Sequence, residues 1–292
     1  EDARFYFKWI EAPVGSNYRD PKVWALCNPM LGISVHASVL EDRIARDRES
    51  VFRRYHLNQW VSAEDIWISE SAWESCRNSE VELDPESPVH VGIDVGIRHD
   101  SSAVAVAQRQ VSEDGTIRTV VRARVWENPY QREDSRHDSW SLNINEVEDY
   151  LRELYSLYPV AACEIDDEVK PGPEFAYDPW NFERSAQLLA GDGLAMVEFP
   201  QSDVRMCPAS QALFDLVTDG TLIHDGDATL RRHILAATAD EKGRGTWRLS
   251  KPKGSLRKID AAIALAIAVH RAQQAAPKEE PSKYETESLL LL

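Results

Sequence analysis

The feature that most constrains this chain is a carboxylate near the end of an apolar strand. Residues 89–95 read Val-His-Val-Gly-Ile-Asp-Val, and the alternation of their apolar side chains predicts a β-strand. Asp94 lies between Gly92 and Gly96. A buried ionised carboxylate needs a cation or hydrogen-bond donors, and glycines let a backbone or ligand approach closely. Asp94 is therefore a candidate metal ligand, with a turn residue or helix cap as the alternative.

The segments that follow predict a mixed α/β domain. We expect strands at 102–110 and 117–126, joined by a turn that contains Asp114-Gly115, a strong hairpin signal. Apolar residues then recur at helical spacing over 143–158. Further expected strands are 174–178, 194–199 and 246–249, and further expected helices are 182–190, 211–218, 228–238 and 258–273. Three antiparallel strands followed by alternating helices and strands resemble the ribonuclease H-like nucleases, a mixed sheet flanked by helices.

Changes of composition divide the chain. Residues 83–88 contain two prolines and two acids without periodicity, and we expect a linker there. The block before it contains an expected strand at 5–10 and an expected charged helix at 39–55. Proline, lysine and glutamate after residue 274 predict disorder. The expected parts are a first block at 1–82, the linker at 83–88, the α/β domain at 89–274 and a disordered tail at 275–292.

Two further aspartates repeat the pattern of Asp94. Asp178 ends an expected strand before Pro179 and a helix, and Asn181 can cap that helix, which leaves Asp178 for another role. Asp260 opens the apolar final helix, where its alternative role is to complement the helix dipole. Because ligands gather at the carboxyl ends of strands in α/β sheets, Asp94 and Asp178 could share a site. The final helix is apolar nearly all round and should be buried, so we expect Asp260 at its edge to face into the domain. Three carboxylates suit two Mg²⁺ or Mn²⁺ ions roughly 3.5–4 Å apart.

Several motifs resemble the large terminase subunit of tailed phages. They are Phe175-Ala-Tyr-Asp-Pro-Trp-Asn181, Met196-Val-Glu-Phe-Pro-Gln201, Leu222-Ile-His-Asp-Gly-Asp227 and Lys258-Ile-Asp-Ala-Ala-Ile-Ala-Leu265. In the first block, Trp24–Pro29 and His56–Trp60 resemble the end of the ATPase domain of that family.

The resemblance implies a nuclease that cuts double-stranded DNA, the concatemeric phage genome, during packaging in the host cytoplasm. It implies two divalent metal ions held by acids that match Asp94, Asp178 and Asp260. It also implies partners for the full-length protein: an upstream ATPase domain, the portal and the small terminase subunit.

Two features of the sequence bound that implication. No G-x-x-x-x-G-K-[ST] phosphate loop occurs, so we expect no ATP hydrolysis from this chain. The acid-rich segment 162–173 interrupts the approach to Asp178, which leaves Glu164 or Asp166 as alternative ligands.

The sequence contains no apolar run of about 20 residues, the length that spans a membrane.

The charge of the chain is unusual for a protein that binds DNA. The formal net charge is −16, whereas residues 204–258 contain ten basic and six acidic residues. The candidate phosphate contacts lie in the loop before the final helix: Lys251, Lys253, Arg257 and Lys258. A solvated basic loop is the alternative interpretation.

Two other functions remain open. Ile93-Asp94-Val95-Gly96 is also typical of actin-like or sugar-kinase-like ATPases, although the second phosphate loop and the glycine-rich adenosine segment of those proteins are not found. A nuclease fold without activity, docking on DNA or on a motor, is the other, because fold alone does not imply function.

Five other residues have weaker signals. His224, Asp225 and Asp227 could support the metal ligands, but a loop in which Asp227 caps the next helix is the preferred interpretation. His233 is expected to be a surface or core residue, and Trp180 to be a packing residue.

Overall fold

The structure is a computed structural model that describes residues 8–13, 15–47, 49–59, 67–96, 101–111, 115–130, 134, 136–161, 163–165, 168–243, 245–252 and 255–275. The described helices are α1 (Pro21–Cys27), α2 (Ala37–Arg46), α3 (Glu49–His56), α4 (Glu70–Ser75), α5 (Ile144–Leu157), α6 (Pro179–Gly191), α7 (Asp203–Thr218), α8 (Ala228–Ala236) and α9 (Asp260–Gln274). The described strands are β1 (His90–Val95), β2 (Ser102–Val111), β3 (Ile117–Trp126), β4 (Cys163–Ile165), β5 (Glu168–Lys170), β6 (Glu174–Tyr177), β7 (Ala195–Glu198), β8 (Leu222–His224), β9 (Thr238–Gly243) and β10 (Thr246–Ser250).

A six-stranded mixed sheet forms the centre of the fold, in the order β7-β6-β1-β2-β3-β8. Strands β1, β2 and β3 are antiparallel neighbours, as the sequence predicts. Strands β6 and β7 continue the sheet parallel to β1, and β8 lies parallel to β3 at the other edge. The expected ribonuclease H-like fold, a mixed sheet flanked by helices, is confirmed.

Helices cover both faces of the sheet because its central strands are apolar on both sides. One face carries Val91, Ile93 and Phe175 and packs against α5 and α6. The opposite face carries small residues of β2, such as Ala103 and Ala105, and packs against α7 and α9. Side chains alternate along a strand, so Gly92 and Asp94 point to the face that α9 covers.

The first block begins with a small cluster of its own. Trp24, Leu40, Phe52 and Leu57 are buried together between α1, α2 and α3. The expected single helix at 39–55 is wrong, because Asp47 takes an extended conformation and ends α2. The expected strand at 5–10 lies largely outside the described residues, and 8–10 are not in a strand.

The end of the first block packs into the main core. Trp67 and Trp73 are buried there, and Trp67 Nε1 donates to the carbonyl oxygen of Ile234 at 2.7 Å. Residues 83–88 form an ordered turn, since the buried Gln108 side chain exchanges hydrogen bonds with the Asp84 backbone at 2.7 Å. The division of the chain into parts remains a prediction.

Several elements differ from the sequence prediction. Strand β9 was not predicted; it pairs with β10 as a hairpin. Most residues of β9 are charged or exposed, so the segment lacks the apolar alternation that predicts a strand. Helix α7 begins at Asp203 rather than 211, and Pro208 inside it interrupts the helical pattern. Short strands β4 and β5 pair within the acid-rich segment. The expected tail, from residue 276 on, lies outside the described residues.

Two further observations concern the chain as a whole. Cys27, Cys76 and Cys207 are buried free thiols. Within the described ranges, no helix is both long and apolar enough to cross a membrane.

Candidate active site

Asp94 and Asp260 are brought together by the packing of α9 on β1. A Cβ atom at Gly92 would lie 2.7 Å from the backbone nitrogen of Ala268 and closer still to the carbonyl oxygen of Ala264. Only glycine therefore allows this close approach. Asp94 is two residues further along the same face of β1, and the first turn of α9 contains Asp260.

Asp178 reaches the same edge through the register of the sheet. Strand β6 lies parallel to β1, and Ile93 is the partner of Tyr177. Asp94 and Asp178 follow these two residues, so both leave the carboxyl ends of adjacent parallel strands. Such an edge is where α/β sheets bind ligands.

The three predicted aspartates line one cleft of about 400 Å³. Polar residues from other elements complete its wall: Asn181, Gln201, Arg248, Ser250 and Lys251. A larger cavity of about 520 Å³ lies between α2, α3 and the β9–β10 hairpin, and none of the three aspartates lines it. The smaller cleft is the candidate site because all three predicted aspartates line it.

Hydrogen bonds from neighbouring residues orient two of the carboxylates. Gln201 Nε2 donates to Asp94 Oδ1 at 2.9 Å. Ser101 Oγ donates to Asp260 Oδ2, and Asp260 is only 6% exposed. Because one oxygen of each carboxylate accepts a hydrogen bond, the orientation of that carboxylate is fixed before a cation binds.

The side chain of Asp178 has the helix-capping role that the sequence predicts for Asn181. Asp178 is the N-cap of α6 and accepts a hydrogen bond from Trp180 N at 3.3 Å. Asn181 instead donates from Nδ2 to the carbonyl oxygen of Val95 at 3.2 Å. The expectation that Asn181 caps the helix is therefore wrong: with Pro179 at the first helical position, Asp178 takes the cap position.

The carboxylates share the cleft without converging on one point. Among the residues that the structure describes, no three His, Cys, Asp or Glu side chains are arranged to hold one metal ion. The chemistry of the donors nevertheless fits a hard divalent cation, since all three predicted ligands are carboxylates. Of the alternatives to Asp178, Asp166 lies outside the described residues and only the backbone of Glu164 is described.

One of the predicted DNA-binding residues lies in the cleft wall. Lys251 lines the cleft, whereas Lys253 lies outside the described residues. Arg257 and Lys258 precede α9 and are not among the described residues that line the cleft. Arg248, which was not predicted, also lines the cleft; it pairs with Asp203 at 3.1 Å and donates to the carbonyl oxygen of Gln201 at 2.9 Å.

The residues with weaker signals have different outcomes. The prediction that Asp227 caps a helix is confirmed, because Leu230 N donates to its Oδ1 at 2.6 Å. His224 is buried against the ring of Trp73, with the centroids 4.1 Å apart, and burial lowers its pKa. The packing role predicted for Trp180 is wrong: its side chain is 86% exposed and lines the cleft.

Gln201, Ser101 and Arg248 contribute to the cleft but were not predicted as site residues. Gln201 had a usable signal, because it follows β7 at the same carboxyl edge as Asp178. Ser101 and Arg248 had none, since their contacts join segments far apart in the sequence. Ser101 reaches Asp260 across 159 positions.

Comparison with known proteins agrees with the resemblance inferred from the motifs. The family model for the terminase large subunit, endonuclease domain, matches residues 1–276. The chain is 26% identical to the terminase large subunit of Enterobacteria phage HK97 over 281 residues, which cover 89% of this chain and 53% of that protein. It is 24% identical to Protein YmfN of Escherichia coli (strain K12) over 278 residues, 88% of this chain and 61% of that protein.

The fold of the chain is similar to that of a solved large terminase. The HK97 bacteriophage large terminase superposes with a TM-score of 0.55 at 23% identity, covering 89% of this chain and 56% of that one. The chain spans between about half and three fifths of the length of these curated relatives. Since the family match runs over nearly all of its residues, the chain belongs to the terminase large subunit endonuclease domain family.

Proposed function

We propose that this chain is a metal-dependent endonuclease that hydrolyses double-stranded DNA, the concatemeric phage genome, through Asp94, Asp178 and Asp260. The observation that carries the proposal is that these three residues, from separate elements, line one cleft at the carboxyl edge of the sheet. Membership of a nuclease family supports hydrolysis as the reaction class.

The three aspartates would hold two Mg²⁺ or Mn²⁺ ions. When bound, such ions activate a water molecule and stabilise the leaving oxygen of the phosphodiester. Gln201 and Ser101 keep the Asp94 and Asp260 carboxylates directed into the cleft. The cap from Trp180 N uses only Oδ1 of Asp178, so the second oxygen of that carboxylate can bind a cation while the cap is kept. Three carboxylates close together also repel one another, so a cation stabilises the arrangement.

DNA would be bound mainly through its phosphates. Lys251 in the cleft wall and Lys253, Arg257 and Lys258 in the following loop are the proposed contacts. The exposed indole of Trp180 offers a flat apolar surface on the same cleft. Because contacts with phosphates carry no sequence information directly, we expect little sequence preference.

The remaining proposals concern the full-length protein. We propose that residues 1–82 include the end of an ATPase domain and that the intact subunit works with that domain, the portal and the small terminase subunit. We place this activity in the host cytoplasm, where the phage genome is packaged.

Cleavage of supercoiled plasmid by the purified chain tests the proposed function. We expect nicked and linear products with Mn²⁺ or Mg²⁺, none with a chelator, and no effect of ATP. Asp94→Ala is the inactive control. Binding of plasmid without cutting would favour a docking module, and measurable ATP hydrolysis would favour the kinase-like alternative.

A further inference from the structure

His233 forms two directed hydrogen bonds although it is fully buried. Its Nδ1 accepts from the backbone nitrogen of Ala261 at 3.0 Å, and its Nε2 lies 2.9 Å from Glu127 Oε1. A ring nitrogen that accepts from an N–H group carries no proton of its own. The proton of the neutral ring is therefore on Nε2, which donates to Glu127.

The contact with Ala261 supplies a cap that α9 lacks. The N-cap residue of α9 is Ile259, and it makes no side-chain cap hydrogen bond. The first N–H groups of a helix have no partner within that helix. His233 on α8 satisfies one of them, at the residue immediately after Asp260.

The other end of the chain of hydrogen bonds is also held firmly. Glu127 follows Trp126, the last residue of β3, and Arg232 donates to its two oxygens at 3.1 and 2.7 Å. The hydrogen bond from His233, followed by that from Arg232, lowers the pKa of Glu127 to about 2. Glu127 thus remains an ionised acceptor and fixes the orientation of the His233 ring.

We infer that His233, oriented by Glu127, is a positioning residue that fixes the first turn of α9 and with it the direction of the Asp260 carboxylate. The inference rests on the proposed function, because it concerns the geometry of a proposed metal ligand. A metal site tolerates displacements of roughly 0.5 Å in its ligands. Loss of the anchor at Ala261 therefore weakens metal binding at Asp260 even when the fold is intact.

Two substitutions of His233 separate its two contacts. In His233→Asn the amide oxygen takes the place of Nδ1 and keeps the acceptor for Ala261 N. In His233→Gln the amide NH₂ group takes the place of Nε2 and keeps the donor to Glu127. Each variant is measured for kcat and KM on DNA, for the Mn²⁺ concentration that gives half-maximal cleavage, and for the rise in Tm caused by Mn²⁺.

We expect His233→Gln to lower kcat at least tenfold, to raise the half-maximal Mn²⁺ concentration and to reduce the Mn²⁺-induced rise in Tm, with KM for DNA unchanged. His233→Asn should remain within about threefold of the wild type in each measurement. Equal losses in the two variants, in proportion to their loss of Tm in EDTA, would show a purely structural role and overturn the inference. Unchanged metal dependence in both would overturn it as well.

A second pair of variants covers the case in which His233 substitutions do not fold. Glu127 is 28% exposed at its side chain and can be replaced with less risk. Glu127→Gln keeps an oxygen acceptor for His233, whereas Glu127→Ala removes it. We expect the larger rise in half-maximal Mn²⁺ concentration for Glu127→Ala, and an equal response of the two would contradict the inference.

Asp94→Ala in the same assays distinguishes this inference from the proposed function. If Asp94→Ala keeps both cleavage and the Mn²⁺-induced rise in Tm, the metal site itself is misplaced and the proposed function fails. If Asp94→Ala abolishes both while His233→Gln behaves as the wild type, only the role of His233 fails.

Discussion

Gly92 of β1 lies directly against the backbone of α9 at Ala264, with no space for a side chain between them. This contact sets how closely the helix that contains Asp260 approaches the strand that contains Asp94. The small residues of α9 and β2 on the same face are consistent with this close packing.

Gly92→Ala should therefore destabilise the fold. The added Cβ would overlap backbone atoms of α9, which cannot rotate away as a side chain can, and overpacking of this kind costs about 1–3 kcal/mol or more. Urea denaturation measures the change. Gly191→Ala is the matched control, because no atom lies within 4 Å of the added Cβ and its φ is not positive. Equal stability of the two variants would refute the close approach.

The binding of DNA should weaken strongly with salt. Contacts through phosphates release counterions, so log Kd varies linearly with log salt concentration. Lys251→Ala should reduce that slope by about 1 and weaken binding equally on unrelated sequences. Fluorescence anisotropy with two duplexes of different sequence, at several salt concentrations, tests this. A preference for one duplex would contradict binding through phosphates.

Acid should destabilise the protein through Glu127. Its folded pKa, about 2, lies below the ordinary value of 4.5, so the folded state favours the ionised form. The stability this contributes is fully present above about pH 4.5 and is lost as the pH falls towards 2. The shift corresponds to about 2 kcal/mol lost between pH 6 and pH 3.

The control for the acid effect is Glu127→Gln, which cannot titrate. Urea denaturation at pH 6 and pH 3 should show the wild type losing more free energy of unfolding than the variant. If the difference in free energy of unfolding between the wild type and Glu127→Gln is the same at pH 6 and pH 3, Glu127 does not contribute through its charge.

The candidate site could be found from the sequence because its proposed ligands lie at places that local patterns mark. Asp94 lies near the end of an apolar strand, Asp178 follows one, and Asp260 opens an apolar helix, so each was visible in its own segment. The sheet was predictable for the same reason, since β1, β2 and β3 consist largely of apolar and β-branched residues.

Relations between distant segments could not be predicted in this way. His233 on α8 accepts a hydrogen bond from Ala261 N at the start of α9, 28 positions away in the chain. No local pattern in α8 indicates such a contact. Strand β9 was missed because it is exposed and charged, so its stability comes from pairing with β10 rather than from its own apolar residues. Trp180 is the opposite case, a large aromatic residue that the fold leaves in solvent at the cleft.

The three aspartates should each be essential for cleavage. If they hold the metal ions together, replacing any one with Ala removes a ligand from an assembly that acts as a unit, and cleavage should fall at least about a hundredfold. A second substitution should then add little to the first. Folding should survive Asp94→Ala and Asp260→Ala, because the loss of one of several neighbouring carboxylates reduces their mutual repulsion.

Asp178 needs a more selective substitution, because it also caps α6. Asp178→Asn keeps the cap and removes the negative charge, whereas Asp178→Ala removes both and should cost about 1 kcal/mol of stability. We expect both to lose cleavage equally and only Asp178→Ala to lower Tm. Asp227→Ala is the matched control: it removes the cap of α8 away from the cleft, so Tm should fall while cleavage remains.

Glu164→Ala and Asp166→Ala test the alternative ligands. If either abolishes cutting while Asp178→Asn does not, Asp178 is only a cap; if Asp94→Ala cuts at the wild-type rate, the metal mechanism itself is wrong.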